Sequence, residues 1–330
     1  MNKAMNLRSG GAIGFLVGAG LALGSGAGFV LAADPPSAAQ TTAFEAPIAG
    51  GGPPAVWAGC GLLSVTGANS DAPLFRTYDA TGRLVREFRL SIAGAARVNV
   101  YSGGFSCGRD GTVAVCGSAY SADSRGAGFI ALAPADARPQ TVIRMTSYAP
   151  RRVVVAGDGS IWVAGRELHD GRENDPHHAV LRRYGPAGQL LGQWLPKSSL
   201  TLVPGVGHPV MFSHLVASQH RVGWYSPAAN QYVEYTPDGS ESRRVPLPQA
   251  DHENHPNVAL CDDGTVYAQV VSRNAGTPRS SALYKLDVGS VVWSRVDNVP
   301  PIGHLYGCKD NSLALGPVGA SGLRIEWLTP

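Results

Sequence analysis

One short pattern recurs along this chain: an apolar strand, an Asp-Gly turn, and a second apolar strand. Residues Phe105 to Val115 carry it around Asp110-Gly111, Val153 to Val163 around Asp158-Gly159, and Val258 to Ala268 around Asp263-Gly264. A weaker copy runs from Leu305 to Leu315 around Asp310-Asn311. Asp-Gly and Asp-Asn tolerate the positive φ angles of tight hairpin turns, so the recurrence reads as a repeated hairpin. A second hairpin follows each copy. Leu74 to Leu90 shows it best, with period-2 alternation and a turn at Thr81-Gly82; Leu181 to Leu195, Tyr232 to Leu247 and Leu283 to Val296 repeat it, and Phe129 to Arg144 is degenerate.

Joining the two hairpins gives units near 53–90, 98–145, 149–196, 208–247, 255–297 and 303–328, a spacing of about 45 residues that suits a four-stranded propeller blade. The fourth unit has Gln219-His220 where the Asp-Gly turn belongs and rests on spacing alone. The expected fold is all-β, a single β-propeller of about six four-stranded blades, with five or seven left open. Each sheet must cover its apolar faces with its neighbours, and a closed ring leaves none exposed. The last unit runs out after Leu323 to Leu328, so a strand near Thr42 to Ile48 is expected to supply its missing edge and close the ring.

The N-terminus reads as an export signal. Lys3 and Arg8 precede an uncharged run from Gly10 to Ala32, which ends in Val30-Leu31-Ala32-Ala33 before Asp34-Pro35-Pro36. Cleavage is expected after Ala32 or Ala33, giving a signal peptide over 1–33, a linker over 34–41 and a propeller over 42–330. The mature protein is then secreted or periplasmic, without stable membrane association. The alternative is an uncleaved N-terminal membrane anchor, for which the run is long enough.

Removing the leader takes two of the 27 basic residues, leaving 25 against 24 acidic ones. Such a near-neutral chain lacks the basic stripe that nucleic acid requires, and no nucleic-acid partner is expected. The five cysteines are an odd number, so at least one thiol stays unpaired or pairs between chains. Small buried side chains are the expected role for most of them, with any pairing left open.

The Asp-Gly hairpins resemble those of six-bladed propellers of the NHL and TolB-like kind, over about Pro53 to Leu328. Asp158-Gly-Ser-Ile-Trp-Val163 is similar to the turn and strand of streptogramin-lyase-type repeats. The resemblance implies a first strand lining a central channel, and a ligand site at one channel mouth, where first strands begin. His208, His255 and His304 stand at three such entries, and Tyr101, Arg151 and Arg152 at two others. The loop from Gly165 to His178, with His169, Asp170, Glu173, Asp175, His177 and His178, is expected on the same face. Converging imidazoles could hold a metal, zinc or calcium, and a metal there would acidify water. Peptidyl-amidoglycolate and streptogramin lyases use histidines on propellers, but their full motifs are absent here. No nucleophile elbow, His-Glu-x-x-His helix or phosphate loop is present. The leading expectation is therefore a monomeric binding or protein-interaction module for a small molecule, glycan or protein. A metal-assisted lyase or hydrolase using His208, His255 and His304 is the alternative.

Overall fold

The computed structural model describes residues 40–43, 55–136, 138–168, 175–205, 208–248, 253–272, 281–297, 299, 302–317 and 324–330. Residues 1–39, which include the expected leader, lie outside them. Among these residues the chain is strand and turn throughout, apart from two single 3-10 turns at Lys197–Ser199 and Pro227–Ala229.

Six antiparallel sheets follow one another along the chain. The first holds β2 (Ala55–Ala58), β3 (Gly61–Thr66), β5 (Leu74–Tyr78) and β6 (Leu84–Arg89). The second holds β7 (Arg97–Cys107), β8 (Val113–Tyr120), β9 (Gly126–Ala133) and β10 (Thr141–Met145), with the two-residue β4 (Asn69–Ser70) added beside β7. The third comprises β11 (Tyr148–Val155), β12 (Ile161–Glu167), β13 (Ala179–Tyr184) and β14 (Leu190–Pro196). The fourth comprises β15 (His214–Ala217), β16 (Val222–Ser226), β17 (Gln231–Tyr235) and β18 (Glu241–Pro246). The fifth comprises β19 (Glu253–Leu260), β20 (Val266–Ser272), β21 (Ser281–Leu286) and β22 (Ser294–Arg295). The sixth joins both ends of the chain: β23 (Ile302–Lys309), β24 (Ser312–Pro317), β25 (Arg324–Leu328) and, outermost, β1 (Gln40–Ala43). The register of that last pair runs from Gln40 opposite Trp327 to Ala43 opposite Arg324. The strand expected at 42–48 thus starts two residues earlier, and 44–48 lie outside the described residues.

The first strands β2, β7, β11, β15, β19 and β23 touch in cyclic order, each meeting the next and β23 meeting β2. The buried apolar residues divide in the same way, into six clusters that each bridge one pair of adjacent blades. This division establishes six blades over five or seven, because every interface has its own dry core. The cluster between the third and fourth blades is built on Trp162, which stacks on Trp194 at 4.8 Å and on Tyr235 of the next blade at 5.6 Å. Stacked pairs of this kind add about 0.5–1.5 kcal/mol each beyond the area they bury. The recurrent aromatics are therefore interblade packing.

The Asp-Gly turns work differently from the expectation. Gly111, Gly159 and Gly264 adopt φ of 81°, 79° and 89°, but the aspartates before them do not take positive φ. Each is instead a type I turn closed by a left-handed glycine, with the aspartate accepting the backbone N–H two residues on: Thr112 to Asp110 at 2.9 Å, Ser160 to Asp158 at 2.9 Å, Thr265 to Asp263 at 2.8 Å. Only in the weaker copy do both residues, Asp310 and Asn311, lie at positive φ.

The cysteines also depart from expectation, since four of the five form disulfides. Cys60 is bonded to Cys107 and Cys261 to Cys308, each across 47 residues. A separation of one blade period places each bond between the ends of neighbouring first strands, first to second blade and fifth to sixth. Small apolar neighbours disguised the cysteines as core residues in the sequence. Cys116 alone is a free, buried thiol, and burial pushes its pKa up to about 12.

Candidate functional site at the channel mouth

The six first strands enclose a channel of about 910 Å³. Its two ends differ. Where the first strands finish, Arg109 on the second blade pairs with Asp262 on the fifth. These blades stand three apart in a ring of six, so the ion pair spans the channel. The disulfides lie at this same end. Where the first strands begin, the lining carries Ser102, Arg152, His214, Asn257, His304 and Arg324.

Arg152 is the best-held of these. Its Nε donates to the Ser213 carbonyl at 2.5 Å, and its Nη1 to the carbonyls of Ser102 at 2.7 Å and Arg151 at 3.0 Å. One side chain thus ties the second, third and fourth blades together. Gly103 makes room for it at φ 72°, since a Cβ there would lie 2.9 Å from the arginine Cδ. Burial lowers the Arg152 pKa, and the neighbouring Arg151 charge lowers it further. Arg151 lies 3.9 Å over the Tyr101 ring, whose hydroxyl is 2.7 Å from the Ser118 hydroxyl. Tyr101, Arg151 and Arg152 are therefore brought together, and of the three Arg152 lines the channel.

Across the channel, His304 sits in a chain of hydrogen bonds with one consistent direction. The Leu305 N–H donates to Gln269 Oε1 at 3.2 Å, which fixes that amide's orientation. The same oxygen accepts from Asn257 Nδ2 at 2.9 Å, and Gln269 Nε2 donates to the Ser281 hydroxyl at 3.0 Å. Asn257 Nδ2 then has its second hydrogen for His304 Nδ1, 3.2 Å away. An imidazole accepting at Nδ1 carries its proton on Nε2. Burial holds the ring neutral, with a pKa down to about 4. His304 thus presents an N–H donor at Nε2, its Nδ1 being engaged by Asn257. The Tyr306 ring lies 4.4 Å from it, centre to centre.

Of the three candidate metal ligands, the side chains of His208 and His304 are described, one ahead of the fourth blade and one on the sixth. His208 precedes β15 by a six-residue turn segment, in which Met211 N–H bonds to the His208 carbonyl and Ser213 N–H to that of Val210. That insertion puts His214, not His208, at the channel entry of the fourth blade. The alternation His214-Leu215-Val216-Ala217 against Val222 to Tyr225 was the overlooked sign of the true strand. His208 is buried instead against His178, with the two Nε2 atoms 3.3 Å apart and the ring planes 10° apart. His208 Nδ1 accepts from the Val210 N–H at 3.1 Å, so its Nε2–H donates to His178, whose Nδ1–H donates to the Asp175 carbonyl at 2.5 Å. His177, exposed, reaches the Ser198 hydroxyl at 2.8 Å. The side chain of His255 and residues 169–174 lie outside the described residues. Among the described residues, no three His, Cys, Asp or Glu side chains are grouped to hold a metal ion. Asn257, Gln269 and His214 are the site residues that sequence reasoning missed.

These features define a class, a six-bladed all-β propeller with a polar-lined central channel. No family model matches the chain, and no curated sequence matches it. Solved structures similar to it include a protein from Bacteroides fragilis NCTC 9343, at 10% identity and TM-score 0.50 over 84% of this chain and 83% of that one. A streptogramin B lyase is similar at 12% identity and TM-score 0.43, over 88% of this chain and 96% of that one. The β-propeller domain of the trilobed protease from Pyrococcus furiosus is similar at 10% and 0.43, over 78% and 75%. At these identities the likeness concerns fold alone, and the NHL or TolB-like grouping gains no family match.

Proposed function

We propose that this chain is an exported, monomeric binding propeller whose ligand occupies the mouth of the channel beside Arg152, His214, Asn257 and His304. The observation that carries this reading is the asymmetry of the channel. One end is bridged by Arg109 and Asp262, whereas the other exposes oriented donors to a cavity of about 910 Å³. Cavities of roughly 300–1,000 Å³ with a few convergent polar groups are the usual form of small-ligand sites. Two disulfides support export, because such bonds persist in oxidising compartments. Cleavage after Ala32 or Ala33 accords with the leader sequence, and N-terminal sequencing of the exported protein checks it. The mechanism would be capture by hydrogen bonding to groups already fixed at the mouth.

Native mass spectrometry of mature protein incubated with a fractionated pool of small molecules and soluble glycans tests the reading. A retained ligand should be lost in His304→Gln and Asn257→Leu and kept in His208→Ala. Retention unaffected by the two channel-mouth substitutions would overturn it.

A further inference from the structure

Buried guanidinium groups ordinarily face a carboxylate, because an unpaired charge away from water is costly. Arg152 departs from this pattern. Its three hydrogen bonds all go to backbone carbonyls, and the charged or titratable groups it feels are Arg151 and the Cys116 thiol. Arg151 is itself committed to the Tyr101 ring. Arg324, exposed, adds a third cation to this end of the lining, whereas the described carboxylates that line the channel, Asp262 and Asp310, belong to turns at the far end. Carbonyls engage Nε and Nη1 of the guanidinium, and Nη2 makes no hydrogen bond among the described residues.

Arg152 belongs to the third blade and His304 to the sixth, so they stand on opposite walls. From this arrangement we infer that the ligand is a small organic anion, its carboxylate, phosphate or sulfate group on Arg152 and a neutral acceptor oxygen on the Nε2–H of His304. The inference rests on the channel-mouth reading above and specifies its ligand. Arg152 supplies the charge, and the carbonyls of Ser102, Arg151 and Ser213 fix its direction before the ligand arrives. His304, held as a donor by Asn257 and Gln269, selects an uncharged oxygen at the other end.

The test uses the full mature protein with 15N-labelled arginine and histidine, followed by NMR. Inorganic phosphate is titrated while the Arg152 Nε–H signal is compared with that of the exposed Arg83. The expected result is a saturating shift at Arg152 and only a weak, linear drift at Arg83. Glycerol, neutral and oxygen-bearing, should leave Arg152 unmoved. Gly103→Ala displaces the guanidinium while keeping its charge, and should weaken the phosphate response about ten-fold or more. If Arg152 drifts no further than Arg83, or responds equally to glycerol, the anion inference is overturned. Should Arg152 ignore phosphate while a neutral ligand moves the His304 ring signals, the anion inference fails and the channel-mouth reading survives. The wild-type comparison of Arg152 with Arg83 decides the matter even if Gly103→Ala does not fold.

Discussion

Arg109 and Asp262, 153 residues apart in sequence, form an ion pair across one end of the channel. Both side chains are substantially exposed, at 52% and 38%, so solvent screens the pair. Its role is to obstruct, and stability owes little to it. Asp262→Asn should leave the melting temperature nearly unchanged. Hydrogen exchange at Val155 and Leu260, where first strands finish, should quicken as water gains that end. A large loss of stability would show the pair to be a structural brace instead.

His304 links the site to pH. Its folded pKa of about 4 lies below the ordinary value of 6.5, so the unfolded chain binds the proton more tightly. Stability should therefore rise with pH between about 4 and 6.5, with as much as about 3 kcal/mol at stake from this one group. Urea titrations at pH 4.5 and 7 should differ less in His304→Gln than in the wild type. The same 15N spectra should show the ring proton on Nε2 at pH 6.

Glu234 acts in the opposite sense. The side chain is fully buried, and burial pushes its pKa up, but hydrogen bonds and charge from Arg243, and the hydrogen bonds of Arg221 and Tyr232, outweigh this and hold it low. The stability it supplies is complete above the ordinary glutamate range and is lost as pH falls through the depressed value. Glu234→Leu leaves two guanidiniums without their partner and should cost about 3–5 kcal/mol in chemical denaturation.

The turn glycines should not be equivalent. At Gly159 a Cβ meets nothing within 4 Å, so Gly159→Ala should cost only the backbone penalty, about 1 kcal/mol. At Gly111 a Cβ would lie 2.8 Å from that of Ala135, and at Gly264 it would lie 2.8 Å from Arg221 Nε. Thermal midpoints should rank Gly159→Ala as the mildest of the three.

His208 and His304 should separate by property. His208→Ala empties a buried position and leaves His178 Nε2 and the Val210 N–H without their partner, so about 1–3 kcal/mol should be lost. Ligand retention at the channel should persist in that variant. If His208→Ala melts like the wild type, the His178–His208 contact has no structural weight.

Much of this architecture was legible because tight turns demand particular residues. The Asp-Gly turns at 110–111, 158–159 and 263–264 marked three blades, and alternation from Leu74 to Leu90 marked a fourth. The fourth blade kept its place by spacing, but its start was misjudged, because the segment from His208 to Ser213 folds into turns before β15 begins. Arg151, Arg152 and Tyr101 could be placed from their blade positions. The partners of His304 could not: Asn257 and Gln269 face each other on the first and second strands of the fifth blade, and only the packing of that blade against the sixth brings them to His304. Disulfide pairing depends likewise on how consecutive blades pack, although the identical spacing of 47 residues was available as a sign.

The two disulfides also determine where the ring is weakest. They join the first blade to the second and the fifth to the sixth, so each flanks the junction of the sixth blade with the first without crossing it. Among the described residues that junction has the smallest of the six apolar clusters, built on Trp57, Leu62, Tyr78, Ala314 and Ile325, with Trp57 edge-on to Trp327 at 4.7 Å. The chain is thus arranged like a clasped bracelet: reinforced links stand on either side of a clasp that closes without covalent help. Partial unfolding should begin as separation at this clasp, releasing both termini together while the remaining blades keep their order.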